Sequence, residues 1–251
     1  MVDSILLSAA RVRTFAHDAP LTNASGFFFS HDDSLFLVTS RHVLIDDASQ
    51  HFPDRVEIDL HVDDRNLANV STISVPLYLN GKSNWRQGED GSGSVDIAAI
   101  EIDQSALPIN SEYCAFRPEH LAAKCSSSCS IELGSPVLVV GFPLGFYDSL
   151  HHLPVARQAI VASSFGLRFQ GKGYFLTDAR THQGTSGSPV VMRLSEMDPR
   201  VGDLPWMLLG VHSARLDVRN RDSSLNEALG LNCTWYADIL LTLTSGAVRT
   251  S

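Results

Sequence analysis

The chain places one serine between two glycines in the run Gly-Thr-Ser-Gly-Ser-Pro, which covers residues 184–189. A serine hydroxyl is a poor nucleophile at neutral pH. It needs a base within hydrogen-bond reach and donors for the oxyanion. Gly184 lets the backbone turn so that its own N–H group and that of Ser186 can converge on one point. The run therefore indicates a nucleophilic Ser186 with Gly184 and Ser186 as oxyanion donors, and the alternative is an ordinary turn.

A base for this serine is sought among the ten histidines, most of which have polar, loop-like neighbours. His42 differs because it follows the apolar run LFLVT, within the segment TSRHVL. A side chain just past a buried strand is held rigidly, as a general base must be. We interpret His42 as the candidate base, with ordinary packing as the alternative role.

The base needs an acid to orient it, and Asp96 stands at the head of the apolar run in SVDIAAIEI. A carboxylate in such a position is costly to bury unless it is paired. Most other carboxylates have polar, turn-like neighbours. Asp96 is therefore the candidate orienting acid, and capping of the turn before the strand is the alternative.

The elements that must position these residues are short β-type runs separated by turn residues. GFFFSHDDSLFLVTSRHVL predicts a hairpin whose return strand leads to His42, and RVEIDLHV alternates like a half-buried strand. The polar segment 81–94 is interpreted as a loop, and a second series of strands begins near Ser135. Helical periodicity is weak except around residues 117–124 and 237–244, and the second of these predicts a short C-terminal helix.

The order His42, Asp96, Ser186 is that of the chymotrypsin-like serine proteases. TSRHVL resembles the TAAHC or TAxHV segment of that family, VDIAAIEI resembles DIALLxL, and GTSGSPVV resembles GDSGGP or GNSGGP. The run GYFLTDARTHQGTSGSPVV also resembles a block of the bacterial high-temperature-requirement proteases. The resemblance covers most of the chain.

This resemblance implies an all-β fold of two six-stranded antiparallel barrels with the site in the cleft between them. His42 and Asp96 would come from an N-terminal barrel (residues 1–110), and Ser186 from a C-terminal barrel (135–251), with 111–134 as a linker. Thr185 replaces the aspartate that pairs with a newly cut N-terminus in trypsin. We therefore expect no activation of the trypsin type.

The implied activity is that of a serine endopeptidase that acts on protein or peptide substrates through an acyl-enzyme, without a cofactor or metal. Two alternatives stay open at this point. One is a catalytically silent binding module of the same fold, although such members usually lose the histidine or the serine. The other is an esterase or acyl transferase, because acyl chemistry is shared by all users of such a triad.

The specificity pocket of the family is formed by residues just before the serine and by the strand GVHS. Here these positions are Arg180, Thr181, His212 and Ser213. The pair Thr181 and His212 resembles that of the staphylococcal glutamyl endopeptidase and the picornaviral proteases, which implies a preference for Glu, Gln or Asp. The alternative is that Arg180 pairs with Asp178 and that His212 is a packed core residue.

Composition restricts the remaining classes. The chain has 251 residues and a net charge of −9, which disfavours nucleic acid and anionic membranes as partners. The start of the sequence lacks the pattern of a signal peptide, so we expect a cytoplasmic protein. The four cysteines show no paired spacing typical of zinc sites and are expected to be free thiols, with one disulfide as the alternative. The oligomeric state is left open.

Overall fold

The computed structural model describes residues 2–122, 130–195, 204–217 and 228–246. The strands of the N-terminal part are β1 (Ala9–Ala16), β2 (Ala19–His31), β3 (Ser34–Thr39), β4 (Arg55–His61), β5 (Val70–Pro76), β6 (Tyr78–Leu79), β7 (Lys82–Ser83), β8 (Trp85–Asp90) and β9 (Gly93–Ile102). The later strands are β10 (Pro136–Gly141), β11 (Val155–Val161), β12 (Tyr174–Asp178), β13 (Pro189–Arg193), β14 (Trp206–Asp217) and β15 (Ala228–Tyr236). The α-helices are α1 (Arg41–Leu44) and α2 (Ile239–Thr244). The described helices are too short to cross a membrane.

The N-terminal strands form one antiparallel sheet in the order β5-β4-β1-β2-β3-β9-β8. The predicted hairpin is present as β2 and β3. Asp32 and Asp33 at its tip both have positive φ (48° and 63°), as the tight turns of twisted hairpins require. In β4 the apolar residues are buried and the polar residues before them are half-buried, so the predicted alternation holds up to His61, which ends the strand and is also buried.

The interpretation of residues 81–94 as a loop is wrong. The segment supplies β7, all of β8 and the start of β9. Its polar composition reflects the place of β8 at the edge of the sheet, because an edge strand with one solvated face needs few apolar side chains. Only Trp85 of β8 is buried, and it packs into the core of this sheet.

The C-terminal strands form a closed six-stranded barrel in the order β10-β11-β12-β15-β14-β13. The expectation of two six-stranded barrels is therefore met in this half alone, since the N-terminal sheet has seven strands and stays open. The segment after β5 links the residue before β4 to the residue before β8. Leu77 donates to the Asp54 carbonyl (2.8 Å) and accepts from the Asn84 N–H (2.8 Å).

One apolar cluster joins the two sheets. Phe36 and Val38 of β3 belong to the same buried cluster as Leu208 of β14 and Trp235 of β15. Helix α2 adds Leu243 to this cluster, although the helix lies after the last strand of the barrel. Each sheet also packs a separate buried apolar cluster of its own. The division at residues 110 and 135 stays a prediction. Of the cysteines, Cys233 is a buried thiol, while Cys125 and Cys129 lie outside the described residues.

Candidate active site

His42 and Asp96 meet across neighbouring strands. His42 lies in the helical turn that begins directly after β3, and Asp96 lies on β9, which pairs with β3. One oxygen of the Asp96 carboxylate is 2.7 Å from His42 Nδ1, and the other accepts the His42 main-chain N–H at 2.9 Å. The carboxylate therefore fixes both the ring and the backbone of His42, and it favours the tautomer with the proton on Nδ1.

A third donor, the Ser213 hydroxyl, also reaches the Asp96 carboxylate. Ser213 is a predicted substrate-binding residue, and its side chain contacts the acid from the C-terminal barrel. The His42 side chain is 38% exposed and that of Asp96 23% exposed. The imidazole is thus accessible to a ligand, while the carboxylate is largely covered by its three donors.

The pKa of His42 is raised above its ordinary value near 6.5. Burial has the largest single effect and opposes the charged form. The hydrogen bond and charge of Asp96, together with the charge of Asp46, outweigh that burial. Asp96 therefore makes His42 a stronger base than a free imidazole.

The loop that carries Ser186 has the backbone geometry of an anion-binding site. Gly184 and Gly187 have φ of 89° and 85°, in the region that favours glycine. The Gln183 carbonyl accepts the Leu144 N–H at 2.5 Å and is held to one side. Within the described part of the chain the N–H groups of Gly184 and Ser186 have no hydrogen-bond partner. Both donors are therefore free to bind an oxyanion.

Ser186 and His42 line the same cleft, which has a volume of about 770 Å³. The Ser186 hydroxyl donates to the Ser213 carbonyl at 3.0 Å and makes no hydrogen bond to His42 in this state. His42 Nε2 has no hydrogen-bond partner among the residues that the structure describes. The structure thus joins the predicted acid to the predicted base, and brings the predicted nucleophile to the same cleft.

Thr185 makes a local bond in place of the family's aspartate. Its hydroxyl donates to the His182 carbonyl at 2.5 Å, and the residue is 2% exposed. This local hydrogen bond stabilises the turn before Ser186 without a partner from the chain terminus.

The residues expected to form the specificity pocket do not line the described cleft. Thr181 is buried and donates its hydroxyl to Asn232 Oδ1 at 2.5 Å. Asn232 is fully buried and also donates to three carbonyls of the barrel, including that of Ala179 (2.9 Å). Sequence reasoning missed Asn232, because nothing in its neighbourhood along the chain indicates that it faces Thr181.

His212 is 2% exposed, and its buried Nδ1 atom has no hydrogen-bond partner among the residues that the structure describes. Burial, followed by the charges of His42 and Arg215, lowers the pKa of His212 to about 4, so the ring is neutral at pH 7. Arg215 was not singled out from the sequence, although it lies on the same strand. Arg180 is exposed, and the described side chains show no ion pair between it and Asp178.

A family model of the trypsin-like peptidase domain matches residues 24–197. No curated protein matches the chain. The solved structures that are similar to it include two with a TM-score of 0.52 each. The serine endoprotease from Yersinia pestis is 17% identical, and the match covers 95% of this chain and 62% of that one. The Rv3671c protease from M. tuberculosis, in its active form, is 16% identical, with 98% and 84% covered.

Likeness at this level of identity establishes the fold, whereas the family model also matches the sequence over more than half of the chain. The matched range contains the segments of His42, Asp96 and Ser186. The chain therefore belongs to the trypsin-like peptidase domain family, the serine proteases of the trypsin and chymotrypsin type.

Proposed function

We propose that this chain is an active serine endopeptidase with Ser186 as nucleophile, His42 as general base and Asp96 as the acid that orients it. The observation that carries the proposal is the double contact of the Asp96 carboxylate with the ring and backbone of His42 (2.7 and 2.9 Å), at the cleft that Ser186 also lines. A binding module would not need this arrangement beside two unused oxyanion donors.

In the proposed reaction the Ser186 hydroxyl first rotates from the Ser213 carbonyl toward His42 Nε2, a side-chain motion that is fast compared with turnover. Ser186 Oγ attacks the scissile carbonyl while His42 takes its proton. The N–H groups of Gly184 and Ser186 stabilise the oxyanion. His42 then protonates the leaving amine, and the ester on Ser186 is hydrolysed by water with His42 again as base.

The primary test uses the parent chain and the Ser186→Ala variant with a protein such as casein, with peptides and with simple esters. We expect peptide hydrolysis by the parent and a loss of roughly 10⁶-fold in kcat for the variant. An esterase would hydrolyse esters while leaving peptides intact, and a silent module would hydrolyse neither. Equal activity of parent and variant would falsify the assignment of Ser186.

We further propose that the residue before the scissile bond is Glu, Gln or Asp. The positions that would carry an acidic floor for Lys or Arg substrates hold Arg180, Thr181 and His212 instead. Neutral His212 can donate one N–H to a carboxylate or amide oxygen. The cation of Arg215 is close enough to influence His212 and favours a negative ligand. Thr181, whose proton is engaged by Asn232, is limited in this state to accepting a bond.

A peptide library with every residue before the scissile bond tests this preference. Glu and Gln should be the best substrates, and Arg215→Gln should reduce cleavage after Glu more than after Gln, because only Glu carries a charge. Cleavage mainly after Lys, Arg or large aromatic residues would contradict the proposed pocket while leaving the assignment of Ser186 intact.

A further inference from the structure

Ser25 of β2 joins the N-terminal sheet to the loop that carries the oxyanion donors. Its side chain is fully buried. The hydroxyl donates to the Gly184 carbonyl at 2.7 Å and accepts the Phe142 N–H at 2.9 Å. One hydroxyl thus bridges two separate segments of the C-terminal barrel.

The backbone of Ser25 makes further bonds to the same region. Its N–H donates to the carbonyl of Ser186 at 2.9 Å. Its own carbonyl accepts the hydroxyl of Thr39 at 2.8 Å, which anchors Ser25 within the N-terminal sheet. Ser25 is therefore held by its own sheet while it contacts Gly184 and Ser186, the two residues that supply the proposed oxyanion donors.

We propose that Ser25 is a positioning residue for the oxyanion hole, a role that rests on the proposed peptidase function. An oxyanion hole is effective because its donors are already oriented before charge develops. Three bonds hold the peptide units around the donors. The Leu144 N–H binds the Gln183 carbonyl, which shares a peptide unit with the Gly184 N–H. Ser25 binds the carbonyls of Gly184 and Ser186, and thereby holds the peptide units before and after the one that carries the Ser186 N–H.

The substitution Ser25→Ala removes the hydroxyl and leaves the Gly184 carbonyl and the Phe142 N–H without their partner in a buried place. Such groups seek other partners, since an unmade buried hydrogen bond is expensive. The peptide units around Gly184 can then rotate, which weakens binding of the oxyanion more than binding of the substrate in its ground state. We therefore expect a change in kcat with little change in KM.

The experiment compares the parent with Ser25→Ala and with Ser8→Ala. Ser8 is a matched control because it is also fully buried, and its hydroxyl donates to the Ile5 carbonyl (2.8 Å) away from the cleft. Four quantities are measured: kcat and KM on one peptide, and the inhibition constants of a peptide trifluoromethyl ketone and of a product peptide. The ketone forms a tetrahedral adduct with an oxyanion, and the product peptide does not.

For Ser25→Ala we expect kcat to fall about ten- to a hundredfold, less than the loss expected when an oxyanion donor is removed. Inhibition by the ketone should weaken in parallel, while KM and inhibition by the product peptide stay within about twofold. Ser8→Ala should lower stability only. Equal losses in both variants, or an unchanged kcat for Ser25→Ala, would overturn the role of Ser25.

Amide NMR shifts of Gly184 and Ser186 in the free protein give a readout that does not need turnover. They should move in Ser25→Ala and stay unchanged in Ser8→Ala, and unchanged shifts in both would count against Ser25. If the parent hydrolyses no peptide, the proposed function fails while this comparison still tests the contact. If Ser25→Ala does not fold, Thr39→Val removes the anchor of Ser25 and should also lower kcat, and an unchanged kcat there would overturn the proposal.

Discussion

At the scale of single residues, the proposed proton transfer depends on the contacts between the Asp96 carboxylate and the His42 imidazole. Asp96 is in contact with both the ring and the backbone of His42, and the Ser213 hydroxyl completes its set of donors. In the proposed reaction this arrangement would stabilise the imidazolium, and it keeps the second ring nitrogen directed away from the acid.

The raised pKa of His42 predicts the acidic limit of activity. The base must be neutral to accept the Ser186 proton, so kcat/KM falls as the pH drops through the pKa of His42. The acidic limb of the pH profile should therefore have its midpoint above 6.5.

Asp96→Asn should lower kcat by about 10⁴-fold, because the tautomer of His42 is no longer selected. A midpoint below 6.5, or a loss under tenfold, would contradict this role of Asp96.

His212 predicts a dependence of stability on pH that is separate from activity. The unfolded chain binds a proton at this histidine near pH 6.5, but the folded chain does so only near 4. The free energy of unfolding should therefore fall as the pH decreases across this window, by about 1.4 kcal/mol per pH unit and about 3 kcal/mol in all. Urea unfolding at several pH values measures the loss.

The matched comparison is His212→Val, which removes the titrating group. Carboxylates contribute to acid sensitivity in both proteins, so the difference between their slopes isolates His212. Parallel slopes between pH 6.5 and 4 would show that His212 titrates normally in the folded chain.

At the scale of elements, the chain positions its chemistry where strands end and loops turn back. His42 follows β3, and Ser186 lies in the turn before β13. The turn depends on glycine in a specific way. A Cβ atom on Gly184 would lie 2.6 Å from the Phe142 carbonyl oxygen, and φ there is positive. Such a side chain cannot be accommodated unless the backbone moves.

Gly184→Ala should therefore distort the oxyanion loop and lower kcat by about 10² to 10³-fold, as loss of an oxyanion donor does. Gly91→Ala is the control, because a Cβ atom there meets nothing within 4 Å. Steady-state kinetics and thermal unfolding should be measured on both. A Gly184→Ala enzyme with the kcat of the parent would show that this backbone geometry is dispensable.

At the scale of the whole molecule, one buried apolar cluster joins the two sheets, and α2, which follows the last strand, contributes side chains to it. Leu243 of α2 is 1% exposed, and the Arg86 guanidinium on β8 donates to its carbonyl at 3.2 Å. The Thr244 hydroxyl also meets the ring of His31 at 2.7 Å. The last described helix thus packs on the first sheet.

Because the shared cluster joins the two sheets, we expect both halves to unfold in a single transition. Leu243→Ala should lower the free energy of unfolding by about 2–5 kcal/mol, as expected for deletion of a buried leucine side chain. The control Leu167→Ala, at a site that is 70% exposed, should change it by less than about 0.5 kcal/mol. Two separate transitions by calorimetry would contradict this expectation.

The sequence by itself determined the all-β class, the hairpin that leads to His42 and the identities of His42, Asp96 and Ser186 as candidates. These inferences depend on local patterns: alternation of apolar residues, turn residues and short motifs with a fixed order. The residues of such a pattern are close together in the sequence, so the pattern can be recognised without knowledge of the fold. The same reasoning missed the polar edge strand β8, because β8 is formed by pairing with β9 and its composition is not typical of a strand.

Only the tertiary structure decided which partners these side chains have. Asp96 meets His42 across 54 residues of sequence, Thr181 meets Asn232 across 51, and Ser25 meets Gly184 across 159. A hydroxyl or carboxylate can bond many groups, and the choice depends on which strands become neighbours. The arrangement of strands gives the Thr181 hydroxyl a hydrogen bond to Asn232 and the Ser213 hydroxyl one to Asp96. It also places Ser25 against Gly184.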